Sequence, residues 1–133
     1  MKRLIILLFP LLSSCAVYDA ITLTGFDPSE YRIIAEIRTD ASVYYNTCPN
    51  TPMSQANAQA LAYKTQLFEN YSLEIPNNEN TIKAAKDLNA MAQGLVTRYQ
   101  QDQNTPVLFC RLKMKNIEST ATIIQHVLGN RPR

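Results

Sequence analysis

The sequence has few of the residues from which metal and cofactor sites are built. His126 is the single histidine among 133 residues, and no Cys-x-x-Cys pair occurs, so the common zinc-binding spacings are missing. The two Glu-x-x-His motifs of a di-iron bundle are absent, as is the Cys-x-x-Cys-His attachment signal of c-type haem. We therefore expect neither a metal ion nor a cofactor, and we interpret His126 as a surface residue near a helix end.

Groups that support catalysis are not gathered in the sequence either. The acidic residues are spread along polar stretches beside lysines and arginines, whereas glycan hydrolysis needs two carboxyl groups that face one cleft. The serines have no basic side chain at a spacing that would activate them as nucleophiles. We expect a protein that is not an enzyme.

Long hydrophobic runs are also missing. The longest, residues 4–12, is about half of the roughly 20 residues that a membrane-spanning helix needs. It follows Met1-Lys2-Arg3 and precedes two serines and a cysteine, which is the order of basic, apolar and small-residue regions in a secretory signal peptide. The sequence therefore predicts a cleaved signal peptide over residues 1–14.

The segment Leu12-Ser13-Ser14-Cys15 resembles the lipobox of bacterial lipoproteins. The resemblance implies that Cys15 is lipidated and becomes the first residue of the mature chain. An aspartate at the next position would imply retention in the inner membrane. Ala16 stands there instead, which implies an anchor in the outer membrane, facing the periplasm. Residues 15–26 would then form a lipidated tether and residues 27–133 a helical periplasmic domain.

The predicted mature chain carries no net charge. Lys2 and Arg3 leave with the signal peptide, so eleven of the thirteen basic residues remain and match the eleven acidic ones. Binding to nucleic acid depends on an excess of basic residues that neutralise phosphates. We expect no nucleic-acid partner.

Residues 27–133 predict an all-α, up-down four-helix bundle. A capping residue followed by proline marks three helix starts, at 27–28, 51–52 and 105–106, and Asn78 is a candidate cap for the other. Apolar residues spaced by three and four predict the four core-facing stripes: Ile34, Ile37, Ala41, Tyr44 and Cys48; Met53, Ala56, Ala60, Tyr63, Leu67 and Tyr71; Ile82, Ala85, Leu88, Ala92, Leu95 and Tyr99; Val107, Cys110, Met114, Ile117, Ala121, Ile124 and Leu128.

Four further residues carry specific expectations. Glu30 is expected to complete a capping box at the first helix start. Gly94, inside the third helix, costs about 1 kcal/mol relative to alanine and suggests a close helix crossing. Tyr45 and Phe68 lie just beside the stripes and are candidate aromatic anchors for a partner.

An α+β alternative remains open. Residues 107–115 also alternate between apolar and polar side chains, which is typical of a strand. Residues 31–38 would supply a partner strand for a small hairpin. The continuous helical register of the fourth stripe favours the bundle.

Cys48 and Cys110 remain once Cys15 is assigned to the lipid. Two thiols in an exported domain usually pair. In an up-down bundle the end of the first helix and the start of the fourth lie at the same pole. We predict a Cys48–Cys110 disulfide and disfavour the alternative, a zinc site.

The function is predicted to be binding. The segments at 111–117 and 129–133, Arg-Leu-Lys-Met-Lys-Asn-Ile and Gly-Asn-Arg-Pro-Arg, resemble small lipoproteins of tailed phages. That resemblance implies host-envelope modification, exclusion of other phages or lysis control. We expect a lipid-anchored protein that binds another envelope protein; the alternative is a cell-wall enzyme accessory or a cofactor-carrying bundle.

The predicted topology places partner binding at the pole farthest from the membrane. The candidate partner-binding residues at that pole are Asn50, Arg111 and Lys113. At the other pole, Arg131 and Arg133 are expected beside the lipid surface, where basic residues bind anionic headgroups.

Overall fold

The structure, a computed structural model, describes residues 24–133. The predicted signal peptide, the lipidation site at Cys15 and the first part of the tether lie outside the described residues. The described part contains four helices: α1 (Pro28–Tyr45), α2 (Thr51–Leu73), α3 (Glu79–Gln101) and α4 (Val107–Gly129). No residue in this part is in a strand, so the all-α prediction is confirmed and the hairpin alternative is wrong.

The helices pack as antiparallel neighbours around one core. α1 packs most extensively against α4, and α2 packs most extensively against α3. Contacts between α1 and α2 and between α3 and α4 complete the bundle. We call the end that holds residues 24–27 and 130–133 the entry pole, and the opposite end the disulfide pole. The prediction of an up-down four-helix bundle is confirmed.

A disulfide closes the bundle between α1 and α4. Cys48 lies in the turn after α1, Cys110 lies in the first turn of α4, and their Cα atoms are 5.8 Å apart. The bridge spans 62 residues, so it stabilises the fold by about 4 kcal/mol if it acts by restricting the unfolded chain. The predicted pairing is confirmed.

Side-chain caps determine where α1 and α2 begin. Asp27 accepts a hydrogen bond from the Glu30 backbone N–H at 2.7 Å, and Asn50 accepts one from the Met53 N–H at 3.2 Å. Asn50, rather than Thr51, therefore caps α2. The capping box predicted at α1 is only half formed, because the Glu30 carboxylate turns into the bundle instead of back toward Asp27.

The stripes predicted for α1, α3 and α4 face the core with few exceptions. Ile82 and Tyr44 are half-buried and Val107 is exposed. Gly94 is not at a helix crossing, since a Cβ placed there would meet no atom within 4 Å, and that prediction is wrong. The buried residues of these three helices include Ile34, Ile37, Ala41, Ala85, Leu88, Ala92, Leu95, Tyr99, Cys110, Met114, Ile117, Ala121, Ile124 and Leu128.

α2 turns a different face inward from the one predicted. Its apolar core residues are Ala58, Leu61, Ala62 and Phe68. Phe68 is fully buried, so it is not a surface anchor for a partner. The predicted stripe of α2 instead points outward from Met53 to Leu67, with Tyr63 72% exposed and Met53 50% exposed, and only its last residue, Tyr71, is half-buried.

Polar residues on the inner face of α2 explain this inversion. Ser54 shares a hydrogen bond of 2.7 Å with the Tyr99 hydroxyl, and Thr65 donates to the Asn89 side-chain oxygen at 3.1 Å. Buried hydroxyl groups that find such partners cost little free energy. α2 can therefore bury a mixed face and leave a more apolar one exposed.

A buried ion pair holds the entry pole together. Glu30 has no exposed surface, and its carboxylate lies 2.8 Å from the Arg131 guanidinium. Ser72 and Asn78 each donate to the other carboxylate oxygen at 2.8 Å. Arg131 also donates to the Asn78 and Thr81 side chains. Only 11% of the Arg131 side chain is exposed, so Arg131 is not free to bind headgroups as the sequence suggested.

The last residues of the predicted tether pack on the bundle. The Phe26 N–H donates to the Pro132 carbonyl at 2.8 Å, and the Arg133 guanidinium lies 5.1 Å from the centre of the Phe26 ring. Thr24 hydrogen-bonds the loop between α2 and α3 at the Asn77 carbonyl. The chain therefore enters the bundle in a fixed direction. None of the described helices is long and apolar enough to span a membrane.

Candidate functional site: a groove at the disulfide pole

A groove between α1 and α4 opens near the disulfide pole. Its volume is about 500 Å³. The last residue of α1, Tyr45, forms one wall, and successive turns of α4 form the other with Leu108, Arg111, Leu112 and Lys115. The α4 residues that line the groove, from Leu108 to Glu118, lie beside the last turn of α1.

The Arg111 side chain crosses the groove toward α1. Its guanidinium carbon lies 5.4 Å from the centre of the Tyr45 ring, a distance at which the ring attracts the cation. The aromatic ring holds the guanidinium in place but does not neutralise its charge. Tyr45 is half-buried and packs against the core, and its role as an aromatic anchor for a partner stays a prediction.

Arg111 has hydrogen-bonding capacity that the described residues leave unused. Its Nε is buried and has no hydrogen-bond partner within residues 24–133, and none of the ion pairs in this part of the chain includes Arg111. A buried donor without an acceptor costs about 1–3 kcal/mol. A carboxylate that enters the groove would pair with the terminal nitrogens of the Arg111 guanidinium rather than with the buried Nε.

The remaining surface of the groove is apolar or already paired. Leu108 and Leu112 are 68% and 55% exposed. Lys115 forms an ion pair with Glu118 at 2.9 Å. The groove thus presents one unpaired cation flanked by an aromatic ring and two leucines, a combination that suits a carboxylate carried next to apolar side chains.

The three candidate partner-binding residues do not come together in this groove. Asn50 uses its side chain to cap α2. Lys113 lies on the other flank of α4, with its ammonium 5.6 Å from the centre of the Phe109 ring, and Arg98 of α3 packs on the same ring. Of the three, only Arg111 lines the groove.

A cluster of titratable groups between α1 and α2 is engaged in structural contacts. Lys64 of α2 lies 2.6 Å from the Asp40 carboxylate and 3.4 Å from that of Glu36, both on α1. Hydrogen bonding to Asp40 raises the pKa of Lys64, and burial opposes the rise only in part. Lys64 therefore stays protonated at neutral pH, where an ammonium is neither a nucleophile nor a base.

Other chemistry-bearing residues do not converge in the described part of the chain. Between residues 24 and 133, no three His, Cys, Asp or Glu side chains are placed to hold one metal ion. His126 is exposed on α4, and its ring lies 3.2 Å from the Asn130 side chain. The groove is the arrangement best suited to binding.

Comparisons with protein-family models, with curated proteins and with solved structures found no match to this chain. Arg111 could be predicted from the sequence as a binding residue, but its contact with Tyr45 was not predicted. The cysteine spacing carried that signal, because a Cys48–Cys110 bridge brings the end of α1 next to the start of α4.

Proposed function

We propose that this protein is a lipid-anchored envelope protein that binds another envelope protein through the groove of Tyr45 and Arg111. The observation that carries the proposal is the Arg111 guanidinium, which lies on an aromatic ring between exposed leucines and has no acidic partner within the described residues. Charged groups left unpaired on a surface favour binding to a partner of complementary charge.

The position of the groove supports its role in recognition at a distance from the membrane. An anchor on Cys15 would place the entry pole nearest the lipid, since residue 24 enters the bundle there. α4 has 23 residues and is therefore about 35 Å long, and the groove lies near its far end. A partner would thus meet the groove above the lipid surface.

The chemistry of the groove defines the kind of partner. A protein segment that offers a carboxylate to Arg111 and apolar side chains to Leu108 and Leu112 matches the charge and the exposed apolar surface of the groove. An arginine beside an aromatic ring is a frequent centre of binding energy in protein interfaces. The resemblance to lipoproteins of tailed phages supports a role in host-envelope modification, exclusion or lysis control.

The test compares two variants that each remove one positive charge from α4. The partner is first captured by chemical cross-linking in native envelopes and identified by mass spectrometry. Arg111→Met, which keeps an apolar stem but loses the cation, should reduce capture at least about tenfold, the effect of roughly 1.4 kcal/mol.

Lys113→Met is the matched control and should leave capture unchanged, because Lys113 lies on the opposite flank of α4. Both variants should retain the wild-type circular dichroism spectrum. Equal capture by wild type and Arg111→Met would refute the groove as the binding site, as would a loss seen only with Lys113→Met.

A further inference from the structure

The outer face of α2 carries no charged residue along its whole length. The other three helices each expose at least one lysine, arginine or acidic residue on their outer faces. Apolar side chains dominate the outer face of α2, and the rest are amides. Its exposed residues are Pro52, Met53, Ala56, Gln59, Ala60, Tyr63, Leu67, Asn70 and Leu73.

The apolar residues on this face have the spacing of a coiled-coil seam. Met53, Ala56, Ala60, Tyr63 and Leu67 are separated by three, four, three and four residues, which are the a and d positions of a heptad. A seam of this width fits one further helix. The two alanines in the seam leave room for a close approach of helix axes, near the lower end of the usual 8–10 Å.

We propose that α2 is the interface for a second copy of this chain, paired through this seam across a twofold axis. A twofold interface brings the same surface patch of both copies together. A charged residue near the axis would therefore lie close to the same charge on the other copy and be repelled by it. The seam has none. Interfaces between identical chains are on average more apolar than interfaces between different proteins, and the exposed face of α2 has this apolar, uncharged composition.

The residues beside the seam are compatible with self-association. Lys64 is the one lysine or arginine of α2, and it is already neutralised by Asp40 and Glu36 of the same copy. Gln59 and Gln66 lie on the other border and provide amide groups that donate and accept hydrogen bonds equally well. Two copies therefore meet without unpaired charge.

The two α2 helices run parallel in this arrangement, a detail that rests on the proposed lipid anchor. α2 has 23 residues and is about 35 Å long. A parallel pair brings both entry poles to the same end, where both lipid chains can enter one membrane. An antiparallel pair would separate the entry poles by about that length.

The first experiment measures the mass of the full chain, purified in detergent, by analytical ultracentrifugation. Wild type should sediment as two chains at tens of micromolar. Ala60→Glu places a carboxylate at the centre of the seam, next to its own symmetry mate, and should weaken association at least about 100-fold. Ala90→Glu is the matched control, an exposed alanine in the middle of α3, and should remain a dimer.

A single-chain mass for wild type would overturn the proposal, and so would equal weakening by both glutamates. A single-chain mass is also expected if a different protein or residues 1–23 cover α2, so either of those occupants would count against the proposal. Cys15→Ser should still pair in detergent. Absence of a lipid on Cys15 would therefore not change the measured mass, so the dimer proposal and the lipid-anchor proposal can be refuted independently.

The second experiment tests the parallel direction by cross-linking. With Met53→Cys, oxidation in native envelopes should yield a covalent dimer, because equal positions face each other across a parallel seam within the 7 Å that a disulfide allows between Cα atoms. Ala90→Cys should not cross-link. Chains carrying Met53→Cys can also be mixed with chains carrying Leu67→Cys, since these two positions face each other in an antiparallel pair. A covalent dimer that forms only in this mixture would overturn the parallel arrangement.

Discussion

Replacement of Arg131 by alanine should lower the free energy of unfolding more than the same replacement of any other charged residue near the surface. Its guanidinium donates to the fully buried Glu30 carboxylate at 2.8 Å and to Asn78 at 2.7 Å. Arg131→Ala leaves that carboxylate with only the neutral donors of Ser72 and Asn78. Loss of one partner of a buried ion pair costs about 3–5 kcal/mol, against a total stability of about 5–15 kcal/mol for a domain of this kind.

Urea denaturation followed by circular dichroism measures this change in the free energy of unfolding. Arg133→Ala is the matched control, the same substitution two residues along, where the side chain only packs on Phe26 at 5.1 Å. That contact is worth about 0.5–1 kcal/mol. In thermal unfolding, Arg131→Ala should lower Tm by about 10–20 °C.

A double-mutant cycle isolates the ion pair from its surroundings. Glu30→Gln keeps the shape of the side chain and removes the charge. When Glu30→Gln is combined with Arg131→Ala, the loss should be smaller than the sum of the two single losses by more than about 1 kcal/mol. Additive losses, or a cost below about 1 kcal/mol for Arg131→Ala, would refute the view that this buried pair holds the entry pole together.

The remaining predictions concern the cysteines. Replacement of Cys48 and Cys110 by serine together should cost about 4 kcal/mol of stability while the circular dichroism spectrum stays helical; an unchanged urea midpoint would contradict this. Thiol labelling of the denatured, unreduced mature protein should find both blocked. Cys15→Ser should accumulate as an unprocessed precursor without lipid, and normal maturation of that variant would refute the assignment of the lipid to Cys15.

Helix positions could be predicted from the sequence because their signals are local. The proline-marked starts at 27–28, 51–52 and 105–106 fall within one residue of the helix starts in the structure, which is the ordinary uncertainty of such boundaries. The cysteines added the one long-range constraint that the sequence offered, and it was correct.

The inner face of α2 could not be predicted because periodicity does not distinguish two apolar faces of one helix. The stripe through Met53 and Tyr63 is the more apolar face, yet the structure buries the face of Ser54 and Thr65. The choice depends on Tyr99 and Asn89 of α3, whose side chains complete the hydrogen bonds of those hydroxyl groups. Such partners are known only once α2 and α3 are packed.

The ion pair of Glu30 and Arg131 was missed for a related reason. The two residues are 101 positions apart. The local sequence predicts that Glu30 caps a helix and that Arg131 is a surface cation. Burial of both depends on Ser72, Asn78 and Thr81, which the end of α2 and the start of α3 bring to the entry pole. Local patterns predict the helices, and long-range polar contacts decide which faces meet.

Site-specific photo-cross-linking in native envelopes tests the central claim most directly, namely that the groove far from the membrane binds the partner. A photoreactive amino acid replaces Leu112 in the groove, Ala90 on the outer face of α3, or Asn80 near the entry pole, all of them exposed. We expect an adduct with one partner protein from position 112 and none from position 90 or 80. An adduct from position 80 with none from position 112 would contradict it.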